Sequence, residues 1–442
     1  MSASYLPYQP EQQFLLPPSL EEWLPQGHLA YYIGDAVDQL DLSAFHARYA
    51  KEGPRNQPFH PAMMVKVLVY GYATGVFSSR KIAAKLHEDV AFRVLGAGNF
   101  PKHRTLSDFR ALHLQELGQL FVQVVRLARE CGLVKLGTIA VDGTKLKANA
   151  SRHKAMSYQR MGEEQAKLES EIGALLERAR RTDAKEDAEP QLDIPAELER
   201  REKRLEMIRA ARERLQARQA EQDTAQGREC GDERQPRHRD GTPKRGRCYK
   251  RDFGVPEDKQ QDNFTDPDSR IMKCAGGGFE QCYNAQTAVD AEQQIIVAAE
   301  MTNNAADNGQ LVPMLDAVQR NLNSAPEQLL ADAGYRSEEV FEQLQSRATQ
   351  CLVALGREGR EQVRIDAAKY AHSAAMAAKL TSEQGRRAYR RRKAIAEAPN
   401  GWIKHVLGFR QFSLRGLEKV RGEWKLVCMA LNLKRMCALI AQ

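Results

Sequence analysis

No stretch of about 18 uninterrupted apolar residues occurs in the 442-residue chain, so no segment reads as a membrane span. Met1 to Pro25 lacks the basic-then-apolar order of a secretory leader; prolines there mix with Glu11, Glu21 and Glu22. The eight cysteines include no Cys-x-x-Cys pair, which suits a reducing cytoplasm and argues against a disulfide framework. Cys230, His238 and Cys248 have the chemistry of zinc ligands, but their spacing fits no standard finger. Acids are scarce in one region above all. Residues 386–442 hold 14 Lys and Arg against 3 Asp and Glu, a local net of +11 in a chain whose total is +8, so the remainder is −3. A solvated basic face normally interleaves more acids. This segment therefore reads as a contact for a polyanion, most often nucleic acid.

The length exceeds one ordinary domain, and about two to four are expected. Residues 26–125 read as helical. Met64, Val65, Val67, Leu68 and Tyr72, then Ile82, Leu86, Val90 and Phe92, recur close to a 3.6-residue period. Ser78-Ser-Arg-Lys81 and His103-Arg-Thr-Leu-Ser-Asp-Phe-Arg110 open helices with polar and basic residues. That suits a helix-turn-helix-like DNA reader, with Arg104 and Arg110 as candidate contacts. A helical bundle for dimerisation fits the same pattern.

Leu136 to Val141 reads as a strand. Leu168, Ile172, Leu175 and Ala179, then Leu198, Leu205, Ile208 and Leu215, follow at helical spacings around an Asp183–Pro195 link, which predicts an antiparallel helical hairpin. Residues 222–262 are rich in Gly, Arg, Asp, Gln and Pro and are expected to be disordered in isolation. Then come strands over 281–290 and 294–302 forming a hairpin, a helix over 307–322, a strand over 328–331, a helix to 348 and a strand over 351–355. The expectation is an α/β fold. It has a mixed five-stranded sheet with flanking helices (126–150 and 263–442), an all-helical N-terminal domain (1–125) and a helical insertion (151–262).

Three acids carry the chemistry. Asp142 closes the apolar run Thr138-Ile-Ala-Val141, and Asp332 closes Leu329-Leu-Ala331. Glu397 lies in a basic stretch that runs from Tyr389-Arg-Arg-Arg-Lys393 to Lys404. Two acids at strand ends and one on a basic helix is a layout that holds two magnesium ions against a nucleic-acid phosphate. Magnesium takes a few carboxylates plus water and substrate oxygens, and paired ions clamp the attacking and leaving oxygens of an in-line displacement. Taken singly, an acid after a strand more often marks a turn or a cap. Asp266, before Pro267, and Asp290, at the hairpin corner, read that way. Strands one and four are neighbours in ribonuclease-H-like sheets, which would bring Asp142 and Asp332 to one edge. On one continuous helix, Tyr389, Arg392, Lys393, Glu397 and Lys404 share an arc of about 140°, although Pro399 and Gly401 interrupt it. An ordinary basic helix with Glu397 partnering Lys393 fits that spacing equally well.

A series of short motifs runs nearly end to end: His60-Pro61, Thr105-Leu-Ser-Asp-Phe-Arg110, Val141-Asp-Gly-Thr-Lys145, Thr265-Asp-Pro-Asp-Ser-Arg270, Tyr283-Asn-Ala-Gln-Thr-Ala-Val-Asp290 and Ala331-Asp-Ala-Gly-Tyr335. Glu397-Ala-Pro399, Gly401-Trp-Ile-Lys404 and Phe412-Ser-Leu-Arg-Gly-Leu-Glu-Lys-Val-Arg421 complete it. In this order they resemble the DDE transposases of bacterial insertion sequences, most closely the branch numbered eleven eighty-two.

That resemblance implies a ribonuclease-H-like core in which Asp142, Asp332 and Glu397 are the catalytic metal ligands, binding two Mg2+ ions with Mn2+ as a substitute. It implies that Lys404 contacts a phosphate near the cut, and that Tyr389 and Arg392 position the terminal nucleotides beside Lys393. The implied reaction is hydrolysis at the element's end, followed by attack of the freed 3′-hydroxyl on target DNA, in a cut-and-paste scheme. The implied partners are the terminal inverted repeats and target DNA, bound by a homodimer or higher oligomer at the nucleoid, with no membrane. One position departs from the pattern: Asn400 stands where an aromatic residue usually follows the proline. Two rivals stay open, a catalytically decayed DNA-binding protein and a nuclease without strand transfer.

Overall fold

The computed structural model describes residues 19–49, 57–183, 194–231, 234–235, 242, 248–274, 277–356 and 365–440. Among these, seven α-helices precede the sheet: α1 (Leu29–Asp38), α2 (Ser43–Ala47), α3 (Pro61–Ala73), α4 (Ser79–Glu88), α5 (Val90–Gly96), α6 (His103–Leu112) and α7 (Leu114–Glu130). Local chemistry explains their starts. Pro61 opens α3 with its φ already helical, and the His60 side chain accepts the Ala62 N–H. Asp89 caps α5 by accepting from Ala91 and Phe92. No helix among the described residues is long and apolar enough to cross a membrane.

The strands are β1 (Thr138–Lys147), β2 (Ala155–Ser157), β3 (Gln261–Asn263), β4 (Arg270–Lys273), β5 (Phe279–Asp290), β6 (Ile296–Thr302), β7 (Gln328–Ala331) and β8 (Gln350–Val353). The five expected strands form a mixed sheet in the order β6-β5-β1-β7-β8, with β1, β7 and β8 parallel and β5 antiparallel to both β1 and β6. A sixth strand, β4, pairs with the first part of β5, beyond the reach of β6. Only Met272 of its four residues is buried, so it carries no apolar run to announce it.

Between β2 and β3 lie α8 (Tyr158–Asp183) and α9 (Ile194–Ala225). They pack antiparallel, with Arg201 reaching Glu171 at 2.9 Å and Arg209 reaching Glu169 at 2.8 Å. Leu168, Leu205, Ile208 and Leu215 close a small core with Met156 and Met161. The proposed link falls largely on residues 184–193, outside the described residues. The expected disorder over 222–262 is corrected in part: Asp223 pairs with the buried Arg228 at 3.3 Å and accepts the Gly254 N–H, while β3 pairs with β2. Cys230 and Cys248 are exposed, and His238 lies outside the described residues.

After β6 come α10 (Leu311–Leu322), α11 (Glu338–Gln345), α12 (Ala371–Thr381), α13 (Glu383–Arg390), α14 (Arg392–Gly401) and α15 (Leu417–Ile440). α15 is apolar on nearly every side and packs against α3, α7 and β6, which marks it as a core helix joining the N-terminal layer to the sheet. Asn432 makes reciprocal bonds to Ile296. Asp266 and Asp268 accept the Gly416 and Leu417 N–H groups at its start. Asp266 is therefore more than a turn residue: it is fully buried, takes the Tyr283 hydroxyl as well, and burial raises its carboxyl pKa. Asp290 does sit at the hairpin corner, tying Glu292 N and Leu136 N.

Arg110 requires a correction. It is buried, donating to the Tyr72 hydroxyl and the Phe77 carbonyl and facing Glu423 of α15. A guanidinium spent on interior acceptors offers nothing to DNA. Leu106, Phe109 and Arg110 lie at helical spacing on one buried face of α6.

Candidate active site

In the register of β1 with β7, Val141 lies opposite Ala331. The next residues are Asp142 and Asp332, so the two acids sit side by side on neighbouring parallel chains, with the same pleat. β1 does not end there. It runs on to Lys147 paired with β5, with a single further bridge from Lys147 to Gln411, and Asp142 is therefore inside a strand, not at its end. Asp332 starts a short 3-10 turn (Ala333–Tyr335), its Oδ1 accepting the Gly334 N–H at 2.8 Å. The cap and the carboxylate pair are made by the same residue.

Asp142 is shielded, and its carboxyl is pushed up to about 6, first by burial and then by the charge of Asp332. The Asn400 amide, the Arg392 charge and the Gly143 N–H oppose that rise. α14 and the π-helical turn after it (Trp402–Val406) cover this face of β1. Asn400 Nδ2 donates to Asp142 Oδ2 at 3.1 Å, and Lys404 Nζ donates to Thr144 Oγ1. Positions 142 and 144 share one face of the strand, as alternation requires. Lys404 is half-buried; desolvation lowers its pKa while Asp142 raises it.

Glu397 does not join the pair. Its side chain is 58% exposed, with Oε1 3.7 Å from Arg392 Nη2. It stands three residues before Asn400, a separation of about 5–6 Å between Cβ atoms on a helix, so it lies one turn from the residue that touches Asp142. Among the described residues, no three acidic, His or Cys side chains converge on a common point. The single-helix arc is corrected too: the helix breaks at Arg391, leaving Tyr389 on α13 and Arg392 on α14, with the guanidinium carbon 5.9 Å from the Tyr389 ring centre. Lys393 is exposed at the start of α14. Arg104, 88% exposed on α6, lies 3.8 Å from Asp108.

The sequence pattern makes Asp307 the first residue of a helix and gives it no chemical role; the helix starts later, at Leu311, and Asp307 lies in the loop before it. Its Oδ1 accepts from Lys145 Nζ at 3.2 Å, Asn284 Nδ2 at 2.7 Å and Gln286 Nε2 at 2.8 Å. It meets β1 from the face opposite Asp142, because Lys145 and Gly143 alternate with Asp142 and Thr144. A Cβ on Gly143 would collide with Asp307 Oδ1 and Gln286 Nε2, and one on Gly334 would lie 3.0 Å from Asp332 Oδ1 and 3.3 Å from Asp307 Oδ2. Asp307 thus backs both acid-bearing segments. The glycines after each acid are what allow its approach.

The donor set fits a divalent cation. Two carboxylates are held together although the charge of Asp332 raises the cost of charging Asp142, and the nearby ammonium of Lys404 is hydrogen-bonded to Thr144. Hard cations take oxygen ligands, and one or two carboxylates suffice where water and phosphate oxygens fill the remaining positions.

Residues 250–433 match the family described as transposase DDE domain, and residues 18–112 match a second transposase domain, DUF772. The first match contains Asp332 and Glu397 and begins beyond the helical hairpin, so Asp142 reaches the site from outside it. No curated protein and no solved structure matches the chain. Transposase families matched in both parts of the sequence, together with a mixed sheet of ribonuclease-H type, show that the chain carries a DDE transposase domain, the domain of metal-dependent phosphoryl transfer on DNA.

Proposed function

We propose that the chain cuts DNA at the ends of an insertion sequence of the eleven eighty-two branch and joins the freed 3′-hydroxyl to target DNA, by cut-and-paste. The observation that carries this reading is the Asp142–Asp332 pair, with the Asp142 carboxyl pushed up to about 6 beside its neighbour's charge. Asp142 and Asp332 would hold the divalent metal, two magnesium ions on our reading, with manganese able to replace them. Such ions supply charge neutralisation at the attacking and leaving oxygens of an in-line displacement. Glu397 completes the set by swinging from Arg392 towards the pair. Asn400 fixes the orientation of Asp142, and Lys404 exchanges Thr144 for a phosphate oxygen near the cut. Tyr389 would pack on the terminal nucleotides, with Lys393 and Arg104 as further DNA contacts, whereas Arg392, with a side chain 8% exposed, would act from the interior by holding Glu397 and offsetting the charge of Asp142. Residues 1–125 would favour the terminal inverted repeats, 126–150 and 263–442 the chemistry, and a dimer or higher oligomer at the nucleoid would hold two ends.

The test is cleavage of end-bearing duplex by Asp142→Asn, Asp332→Asn and Glu397→Gln, with DNA binding measured in parallel. Loss of cutting with binding kept is expected for each. Full cutting by any of them removes that residue from the set. A second reading, a DNA-binding protein that has lost catalysis, is favoured by the Asn400–Asp142 hydrogen bond and the outward Glu397. Cutting by the unaltered chain in magnesium eliminates it, and an added target plasmid separates strand transfer from simple nuclease action.

A further inference from the structure

The helical hairpin, the connection from β1 into β2 and the residues Gln411 and Arg415 line a groove of about 850 Å³ whose charge is one-sided. His153, Lys154, Arg160, Arg204 and Arg415 line it, and no acid does. Elsewhere on the hairpin, arginines are spent on carboxylates: Arg201 on Glu171 and Glu197, Arg209 on Glu169, Arg214 and Arg218 on Asp262. Among the described residues, Lys154, Arg160 and Arg204 enter no ion pair, and all three are exposed. Arg415 is aimed by a 2.8 Å bond from Nε to the Asn149 carbonyl. Between these cations the floor is apolar, from Met156, Ile208 and Phe264, and Met207 stands 52% exposed over it. Cations on the rim and an apolar floor suit a phosphodiester backbone with a sugar or base face turned inward.

Position adds a second argument. β1 carries Asp142 and leads straight to Asn149 at the groove's mouth. At about 3.3 Å per residue the seven residues span roughly 23 Å, or about seven base pairs of duplex. We propose that this groove grips the phosphodiester backbone of the DNA that runs into the Asp142–Asp332 pair, with Met207 against a sugar or base face. The proposal rests on the reading that DNA is cut at that pair. It gives the insertion after the first acid a physical role, which is to hold the duplex about two-thirds of a turn away from the reacting bond.

The experiment compares the full-length chain with Arg160→Gln/Arg204→Gln and, on the neighbouring wall, with Lys154→Gln. Equilibrium binding is measured across a salt series on end-bearing and on unrelated duplex, with hydroxyl-radical footprints of the complexes. Each lost phosphate contact should reduce the slope of log affinity against log salt by about 0.9, so the double variant should lose about 1.8 and the single about 0.9. Protection about seven base pairs from the cut should vanish. Loss confined to end-bearing duplex assigns the groove to the element, and loss on unrelated duplex assigns it to the target; either supports the proposal. Unchanged slopes and footprints on both duplexes, in proteins that melt like the parent, overturn it. Asp142→Asn is assayed alongside: if that variant still cuts, the active-site reading fails, whereas unchanged groove variants beside an inactive Asp142→Asn defeat the groove alone.

Discussion

Replacing Arg110 should cost stability and spare DNA affinity. The Arg110 side chain is 5% exposed and that of Glu423 is 0% exposed. Arg110 Nη1 donates to the Tyr72 hydroxyl at 2.8 Å, which donates to Glu423 Oε1 at 2.9 Å, and Nη1 stands 4.0 Å from that oxygen. Glu423 Oε2 takes the Ser413 and Leu414 N–H groups at 2.9 and 3.1 Å. Burial, and then the charge of Glu423, hold the Tyr72 phenol well above its usual range, so it remains a donor. Arg110→Ala strands a buried carboxylate without its cation, at about 3–5 kcal/mol. Tyr72→Phe removes the hydroxyl between the two, at about 1–3 kcal/mol. The paired change Arg110→Met/Glu423→Gln should cost less than the sum of its halves, with a coupling of about 0.5–3 kcal/mol. Urea unfolding of the full chain, followed by tryptophan fluorescence, reads the effect, since Trp424 adjoins Glu423 on α15. The midpoint should fall while the folded variant binds end DNA like the parent. An Arg110→Ala protein with the parental midpoint and weakened end binding would refute this reasoning and return Arg110 to the DNA surface.

Gly143→Ala should destabilise by about 1–3 kcal/mol through overpacking against Asp307, and should lower the cleavage rate in the protein that remains folded; a parental melting curve and rate would show that the approach of Asp307 is unimportant. Lys404→Gln should weaken binding about equally across DNA sequences and reduce the salt slope by about 0.9, whereas an unchanged slope removes its phosphate role. Chelation of divalent cations should stop cutting in the parent and leave salt-dependent DNA binding in place, and cutting that persists in excess chelator contradicts the metal assignment.

The central strands were legible because each carries its own physical signature. Thr138 to Val141 and Leu329 to Ala331 are short apolar runs buried in a parallel pair, and Asp290-Ala-Glu292 is polar punctuation between two apolar stretches. The extension of β1 past Asp142 was not legible, since Asp142-Gly-Thr-Lys145 is polar and is held in the sheet by pairing with β5. The break between α13 and α14 is likewise hidden, because an unbroken run of arginines has no periodicity to interrupt. Arg110 could have been assigned to the interior from its spacing to Leu106 and Phe109; its charge pointed outward instead. Asn400 was visible as a departure, but its partner was not: nothing local links it to Asp142, 258 residues earlier.

The most direct measurement is anomalous diffraction from manganese-soaked crystals of the chain. The account predicts a manganese peak bonded to both Asp142 and Asp332 at about 2.0–2.2 Å, lost in Asp332→Asn, with Glu397 turned towards the site when end DNA is present. Manganese seated elsewhere, or bound unchanged in Asp332→Asn, would contradict it.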